Sequence, residues 1–298
     1  MKTIICFIIT IILSIYTLFS QSFNHENNTK EASPILLGKI NKEGLTQGSY
    51  NNWFTSNYEQ YTPKQGSIDS LKAHLSEYTI TLFMGTWCGD SKREVPRLYK
   101  ILDSSNFSLD RLTTIAVDRS KEAYKQSPGG EHEGLNIHRV PSILFYKNGK
   151  EVNRIVESPK KTLEEDILAI FSKNYTPNYT SVIFMDNILS TKGASYVSKN
   201  AKKIVRQLHN QTENKYELNT YANVLFYAHK IEEAITVLSI NTLLFSKDAT
   251  TYINLADKYL YNKDTINAIK YYKKSLEYAD TAEIQNKINE LSMLPDLE

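Results

Sequence analysis

Thr79-Ile80-Thr81-Leu82-Phe83-Met84-Gly85, followed at once by Thr86-Trp87-Cys88-Gly89-Asp90-Ser91-Lys92, decides how the rest of the chain is read. The first seven residues form a short β-rich run with the composition of a buried strand. Beyond it Val95, Leu98, Tyr99 and Leu102 recur at helical spacing. The stretch is therefore a strand that feeds directly into a helix, with Cys88 at the junction. A thiol there faces unsatisfied backbone N–H groups and the positive end of the helix dipole, both of which favour the reactive thiolate. Lys92 and Arg93 act in the same sense, Ser91 can turn its hydroxyl toward the sulfur, and Asp90 opposes them by like-charge repulsion.

Outward from the junction, strand and helix alternate. Ile68, Leu71, Ala73, His74 and Leu75 suit a helix before it, and Leu112–Val117 (LTTIAV) is a second apolar run after it. Ser142–Tyr146 (SILFY) leads through Asn148-Gly149, a signal for a type I′ hairpin turn, into Glu151–Val156. Thr162–Phe171 closes the region as an amphipathic helix with Leu163, Ile167, Leu168 and Phe171 on one face. This order describes an α/β sandwich with a mixed sheet flanked by helices.

Trp87-Cys88-Gly89-Asp90-Ser91-Lys92 resembles the Trp-Cys-Gly-Pro-Cys-Lys site of the thioredoxin family. Pro96, eight residues after Cys88, is similar to the proline that kinks the family's active-site helix. Val140-Pro141-Ser142 resembles its Ile-cisPro-Thr loop, and Tyr146-Lys147-Asn148-Gly149-Lys150 its closing hairpin. The likeness spans residues 35–173. It implies a thioredoxin-like sandwich with Cys88 as nucleophile, Trp87 and Ser91 supporting it, and Val140, Pro141 and Ser142 shaping a substrate groove. Disulfide-bearing proteins or small thiols are the implied partners, and no cofactor is called for. The segment Lys121–Asn136 is longer than a minimal thioredoxin needs and reads as an insertion before the cis-proline loop.

Two departures from the family pattern bear on the chemistry. Ser91 stands where the family has its second cysteine, so no resolving thiol is present and another molecule's thiol must clear a mixed disulfide. Leu82 stands where the family has a buried acid, which removes its help in proton transfer. The expectation is monothiol exchange: isomerisation, removal of small-thiol adducts, or retention of a client. The rival expectation is a thioredoxin-fold scaffold or client-binding module without turnover. His132 and His138, with Glu131 and Glu133, lie just before Pro141, but a Gly-rich polar loop with a single cysteine nearby is a poor metal set, and no metal is expected.

The rest of the chain sets the context. Its 35 basic and 33 acidic residues give a net charge of +2, too weak a field to mark nucleic acid as a partner. Lys2 and the apolar run Ile4–Phe19, ending at Ser20, resemble a secretory signal peptide over residues 1–20. Export to the periplasm or cell exterior follows, with a membrane contact only if this segment stays uncleaved as an anchor. Cleavage would remove Cys6 and leave Cys88 as the one remaining cysteine, with no internal disulfide possible. Residues 21–34 are polar, without periodicity, and read as a flexible leader.

After Phe171 the character changes. Residues 174–182, which include the polar, Pro-bearing NYTPNYT, read as a linker, and 183–298 as a helical domain. Val197, Ala201, Ile204, Val205 and Leu208 form one amphipathic face. Beyond them Ala222 aligns with Ala256, Tyr227 with Tyr261, and Ala234-Ile235 with Ala268-Ile269, a period of about 34 residues. This resembles tetratricopeptide repeats. So short a stack is either a helical cap on the first domain or, given the concave face such stacks present, a groove for a protein partner.

Overall fold

A computed structural model of the protein describes residues 23–29 and 32–293. The expected signal peptide, residues 1–20, lies outside the described residues. Two strands come first, β1 (His25–Thr29) and β2 (Ala32–Ile40), followed by α1 (Lys42–Leu45), α2 (Asn51–Gln60) and α3 (Gln65–His74). Then come β3 (Thr79–Met84), α4 (Gly89–Ser104), β4 (Leu112–Ala116), β5 (Ser142–Lys147), β6 (Lys150–Val156) and α5 (Leu163–Phe171). The remainder is helical: α6 (Thr180–Lys199), α7 (Ala201–Leu208), α8 (Tyr216–Tyr227), α9 (Ile231–Leu244), α10 (Ala249–Tyr261), α11 (Thr265–Leu276) and α12 (Ala282–Ser292).

The strands form one six-stranded mixed sheet in the order β1-β2-β4-β3-β5-β6. Strands β3 and β4 are parallel, as a connection through α4 requires, and the other neighbours are antiparallel. The β5–β6 hairpin turns on Asn148 (φ 52°) and Gly149 (φ 74°), the two left-handed positions a type I′ turn demands.

Alternation along β3 assigns side chains to the two faces. Ile80, Leu82 and Met84 join Phe54, Leu71, Leu98, Tyr99, Leu102 and Ile167 in a core packed by α2 to α5. On the opposite face Phe83, Ile115, Val117 and Leu144 are covered by Ile137 and Val140 from the long connection between β4 and β5. The segment read as an insertion belongs to this connection.

The polar segment 21–34 is not a free leader where it is described. Strand β1 pairs with β2 in the register His25 to Leu37, Glu26 to Leu36 and Asn27 to Ile35. Polar bonds hold it where an apolar pattern is missing: Tyr50 Oη donates to Glu26 Oε2 at 2.9 Å, and Asn24 Nδ2 to Asn41 Oδ1 at 2.8 Å. Residues 174–182 are likewise bonded to the α/β domain. Tyr175 is buried, its carbonyl accepts from Asn153 Nδ2, and Asn178 Nδ2 donates to Val156 O and Ser158 O. Helix α6 already begins at Thr180 and is broken at Gly193, whose φ of 78° is left-handed.

In the helical region Ala222, Ala234, Ala256 and Ala268 are all fully buried. A residue without side-chain bulk lets paired helices approach closely, which accounts for the recurrence of alanine one period apart. The region rests on the β4–β5 connection: Gln126 Nε2 donates to Tyr227 O at 2.8 Å, and Arg139 reaches Thr220 Oγ1 at 3.4 Å. Among the described residues no helix is long and apolar enough to cross a membrane.

Candidate functional site

The site grows from the end of β3. Gly85 follows the buried strand, and a Cβ there would come within 2.6 Å of the Trp87 ring, so this approach needs glycine. The turn is closed by the Cys88 N–H on Gly85 O at 2.9 Å. Trp87 Nε1 donates to Val117 O at 2.9 Å, just past the end of β4, and Thr86 Oγ1 accepts the N–H of Leu36 on β2, which ties the junction to that side of the sheet.

Cys88 is the N-cap of α4, extended at φ −87° and ψ 128°, and its carbonyl accepts the first helical bond from Lys92 N at 3.0 Å. Cys88 is half-buried and its Sγ donates to Val140 O at 3.2 Å. The Val140–Pro141 peptide bond is cis. Trp87, Cys88, Val140 and Pro141 therefore meet at one point. Asp90, the group expected to oppose a thiolate, pairs with Arg93 at 2.8 Å, and Arg93 also reaches Glu94. That pairing offsets part of the Asp90 charge near the sulfur.

Two of the expected site residues sit differently from the expectation. Ser91 is fully buried and its Oγ accepts the N–H of Gly85 at 3.2 Å, so the hydroxyl is spent on the strand end and makes no bond to the Cys88 sulfur. Ser142 is also buried and donates to Arg139 O at 2.7 Å, bracing the loop from inside. Leu82, in place of the family's acid, is wholly enclosed in the apolar core.

His132 and His138 have separate structural partners. His132 Nδ1 accepts the Ser127 N–H at 3.1 Å. His138 Nδ1 faces Asn136 O at 3.2 Å and so carries the ring proton, since a carbonyl can only accept. Burial, reinforced by Lys125, Arg139 and Arg154, pushes the His138 pKa down to about 3, leaving a neutral ring edge-on to Tyr179 and Tyr221. No group of three or more metal-ligating side chains occurs among the described residues.

Sequence reasoning missed the inward-facing polar residues of the β4–β5 connection. Lys125 is buried and its Nζ donates to His138 O at 2.6 Å, two residues before the carbonyl that Cys88 Sγ meets. Arg139 pairs with Glu157 at 2.7 Å and lies over the Tyr179 ring. The only signal was the unusual length of the segment, which does not say which of its polar side chains turns inward.

Thioredoxins match about a third of the chain at low identity. Thioredoxin-2 of Saccharomyces cerevisiae is 26% identical over 103 residues, which cover 33% of this chain and 86% of that protein. Thioredoxin of Gallus gallus is 28% identical over 100 residues, covering 34% and 86% respectively. Thioredoxin-1 of Schizosaccharomyces pombe is 29% identical over 87 residues, 29% of this chain and 75% of that protein. The α/β domain is thioredoxin-like. No protein-family model matches the chain.

Proposed function

We propose that the protein is an exported, thioredoxin-like monothiol thiol-disulfide oxidoreductase or isomerase. It acts on protein or small-thiol mixed disulfides, and its tetratricopeptide-like helical region engages a protein partner. The observation that carries this reading is the half-buried Cys88 at the N-cap of α4, bonded to the carbonyl before a cis proline and accompanied by no second cysteine among the described residues.

The chemistry that fits is disulfide exchange in two steps. The Cys88 thiolate attacks one sulfur of a substrate disulfide, forming a Cys88–S–S–R bond and expelling the other sulfur as a thiolate. A thiolate from a second molecule then attacks this mixed disulfide and regenerates Cys88. Electrons are conserved: a disulfide is exchanged in each step, and net reduction occurs only when the second molecule is itself oxidised. Export rests on Lys2 and the apolar run Ile4–Phe19.

The test is recovery of a scrambled-disulfide protein by the full chain in the presence of external thiol, against Cys88→Ser. Wild type accelerates recovery and the variant does not. Equal rates for the two favour the scaffold alternative, for which Leu82 and the spent Ser91 hydroxyl speak.

A further inference from the structure

Val140, whose carbonyl accepts from Cys88 Sγ, stands between Arg139 and Pro141, and both neighbours lead to one residue, Glu157. Arg139 Nη1 donates to Glu157 Oε1 at 2.7 Å, and the Glu157 N–H donates to Pro141 O at 2.7 Å. Glu157 follows β6 directly, so the end of that strand grips the loop on both sides of Val140. Ser142 Oγ closes the loop from within by donating to Arg139 O.

The helical region holds the far side of this clasp. Tyr179 Oη, immediately before α6, donates to Glu157 Oε2, and the Arg139 guanidinium lies 4.6 Å from the centre of the Tyr179 ring. Arg139 Nη2 reaches Thr220 Oγ1 on α8 at 3.4 Å. The two charged side chains are only 19% and 21% exposed, so water competes little for the pair. Glu157 also takes a left-handed backbone, φ 66°. Glycine adopts that conformation freely and a residue with a side chain does so under strain, so what residue 157 contributes is its carboxylate.

A thiolate has no proton to donate. When Cys88 ionises, Val140 O therefore loses this donor and is open to an N–H of the chain that carries the substrate disulfide. We propose that Arg139 and Glu157 are positioning residues for thiol exchange, which together with Tyr179 and Thr220 hold the Val140 carbonyl where a polypeptide disulfide meets it beside Cys88. This rests on the thiol-exchange reading above. It gives the helical region a part in selecting polypeptide disulfides over small ones, because a small disulfide has no backbone N–H to offer.

The experiment compares two disulfides on the full chain: dithiodipyridine, and a short peptide whose single cysteine is joined to thiopyridine. In each case the Cys88 thiolate forms a new S–S bond and expels thiopyridine as its thiolate, so one absorbance reads both. The readout is the ratio of the peptide rate to the small-molecule rate. Glu157→Gln and Arg139→Met each lower this ratio about ten-fold, the worth of one well-placed hydrogen bond. Tyr179→Phe, which removes the donor on the helical side, lowers it in the same direction by about three-fold. A purely structural role slows both disulfides alike and leaves the ratio unmoved, and a wild-type ratio in Glu157→Gln overturns the proposal. Should the single variants fail to fold, Arg139→Met combined with Glu157→Gly removes both charges and the left-handed strain together, and is read in their place. A wild-type ratio there overturns the proposal equally. A wild type that releases thiopyridine from neither disulfide defeats the thiol-exchange reading itself, whereas a reactive wild type whose ratio ignores residues 139 and 157 defeats this inference alone.

Discussion

Ser91 Oγ accepts the backbone N–H of Gly85 at 3.2 Å, so the hydroxyl that stands in place of a second sulfur fastens α4 to the end of β3. Both groups are buried. Removing the acceptor strands a donor away from water, at a cost of about 1–3 kcal/mol. Ser91→Ala is therefore expected to lower the urea unfolding free energy by about that amount while leaving Cys88 able to form an adduct.

A sulfur at the same place changes the chemistry. Residues 88 and 91 lie three apart at the start of α4, on one side of its first turn. Ser91→Cys is expected to shorten the lifetime of a Cys88 mixed disulfide by about ten-fold or more, because the new thiol attacks it internally. The decay of the adduct mass without added thiol is the readout, and an unchanged lifetime refutes the expectation.

The junction at Cys88, the Asn148-Gly149 turn and the division into an α/β part followed by helices are legible in the sequence because each is written in local chemistry. An apolar run stops at glycine, a helix-period pattern starts, or two residues tolerate positive φ. What stayed illegible was long-range. Strand β1 (HENNT) has no apolar alternation, and its place depends on Tyr50 and Asn41, residues distant in sequence. The inward Lys125 depends on a left-handed residue and on Tyr227, about a hundred positions away. Ser91 and Ser142 were legible as neighbours of Cys88 and Pro141, but the direction of a hydroxyl is decided by whichever unpaired backbone group lies within reach.

His138 makes a pH prediction. Its folded pKa of about 3 lies below the ordinary histidine value of 6.5, so between these limits the unfolded chain binds the extra proton. Stability from keeping this ring neutral is complete above about pH 6.5 and is lost progressively as the pH falls toward about 3. His132 shifts in the same direction, from burial. Carboxylates whose folded pKa is depressed, such as Glu77, Glu165 and Asp248, add acid lability only lower in the range. Urea unfolding of wild type is expected to weaken between about pH 6.5 and 4.5, and His138→Gln to be distinctly flatter there. Parallel curves for the two contradict the assignment.

The buried alanines of the helical region give a packing prediction. Ala256 and Ala268 are fully buried between helices, whereas Ala282 is exposed at the start of α12. Ala256→Leu and Ala268→Leu are each expected to destabilise the protein by about 1–3 kcal/mol through overpacking. Ala282→Leu is expected to stay within about 0.5 kcal/mol of wild type. Thermal unfolding of the three variants checks this, and a tolerated leucine at both buried positions contradicts the close helix approach.

The most direct measurement of the central claim is intact-mass spectrometry over time on the chain treated with an oxidised small-thiol disulfide, with Cys88→Ser as the blank. A monothiol site lacks an internal route for releasing its adduct. The account predicts one adduct at Cys88 that forms faster than on a free cysteine peptide, persists, and clears when external thiol is added. Absence of any adduct under conditions where the free peptide reacts readily contradicts it, and shows Cys88 to be an inert residue of a scaffold.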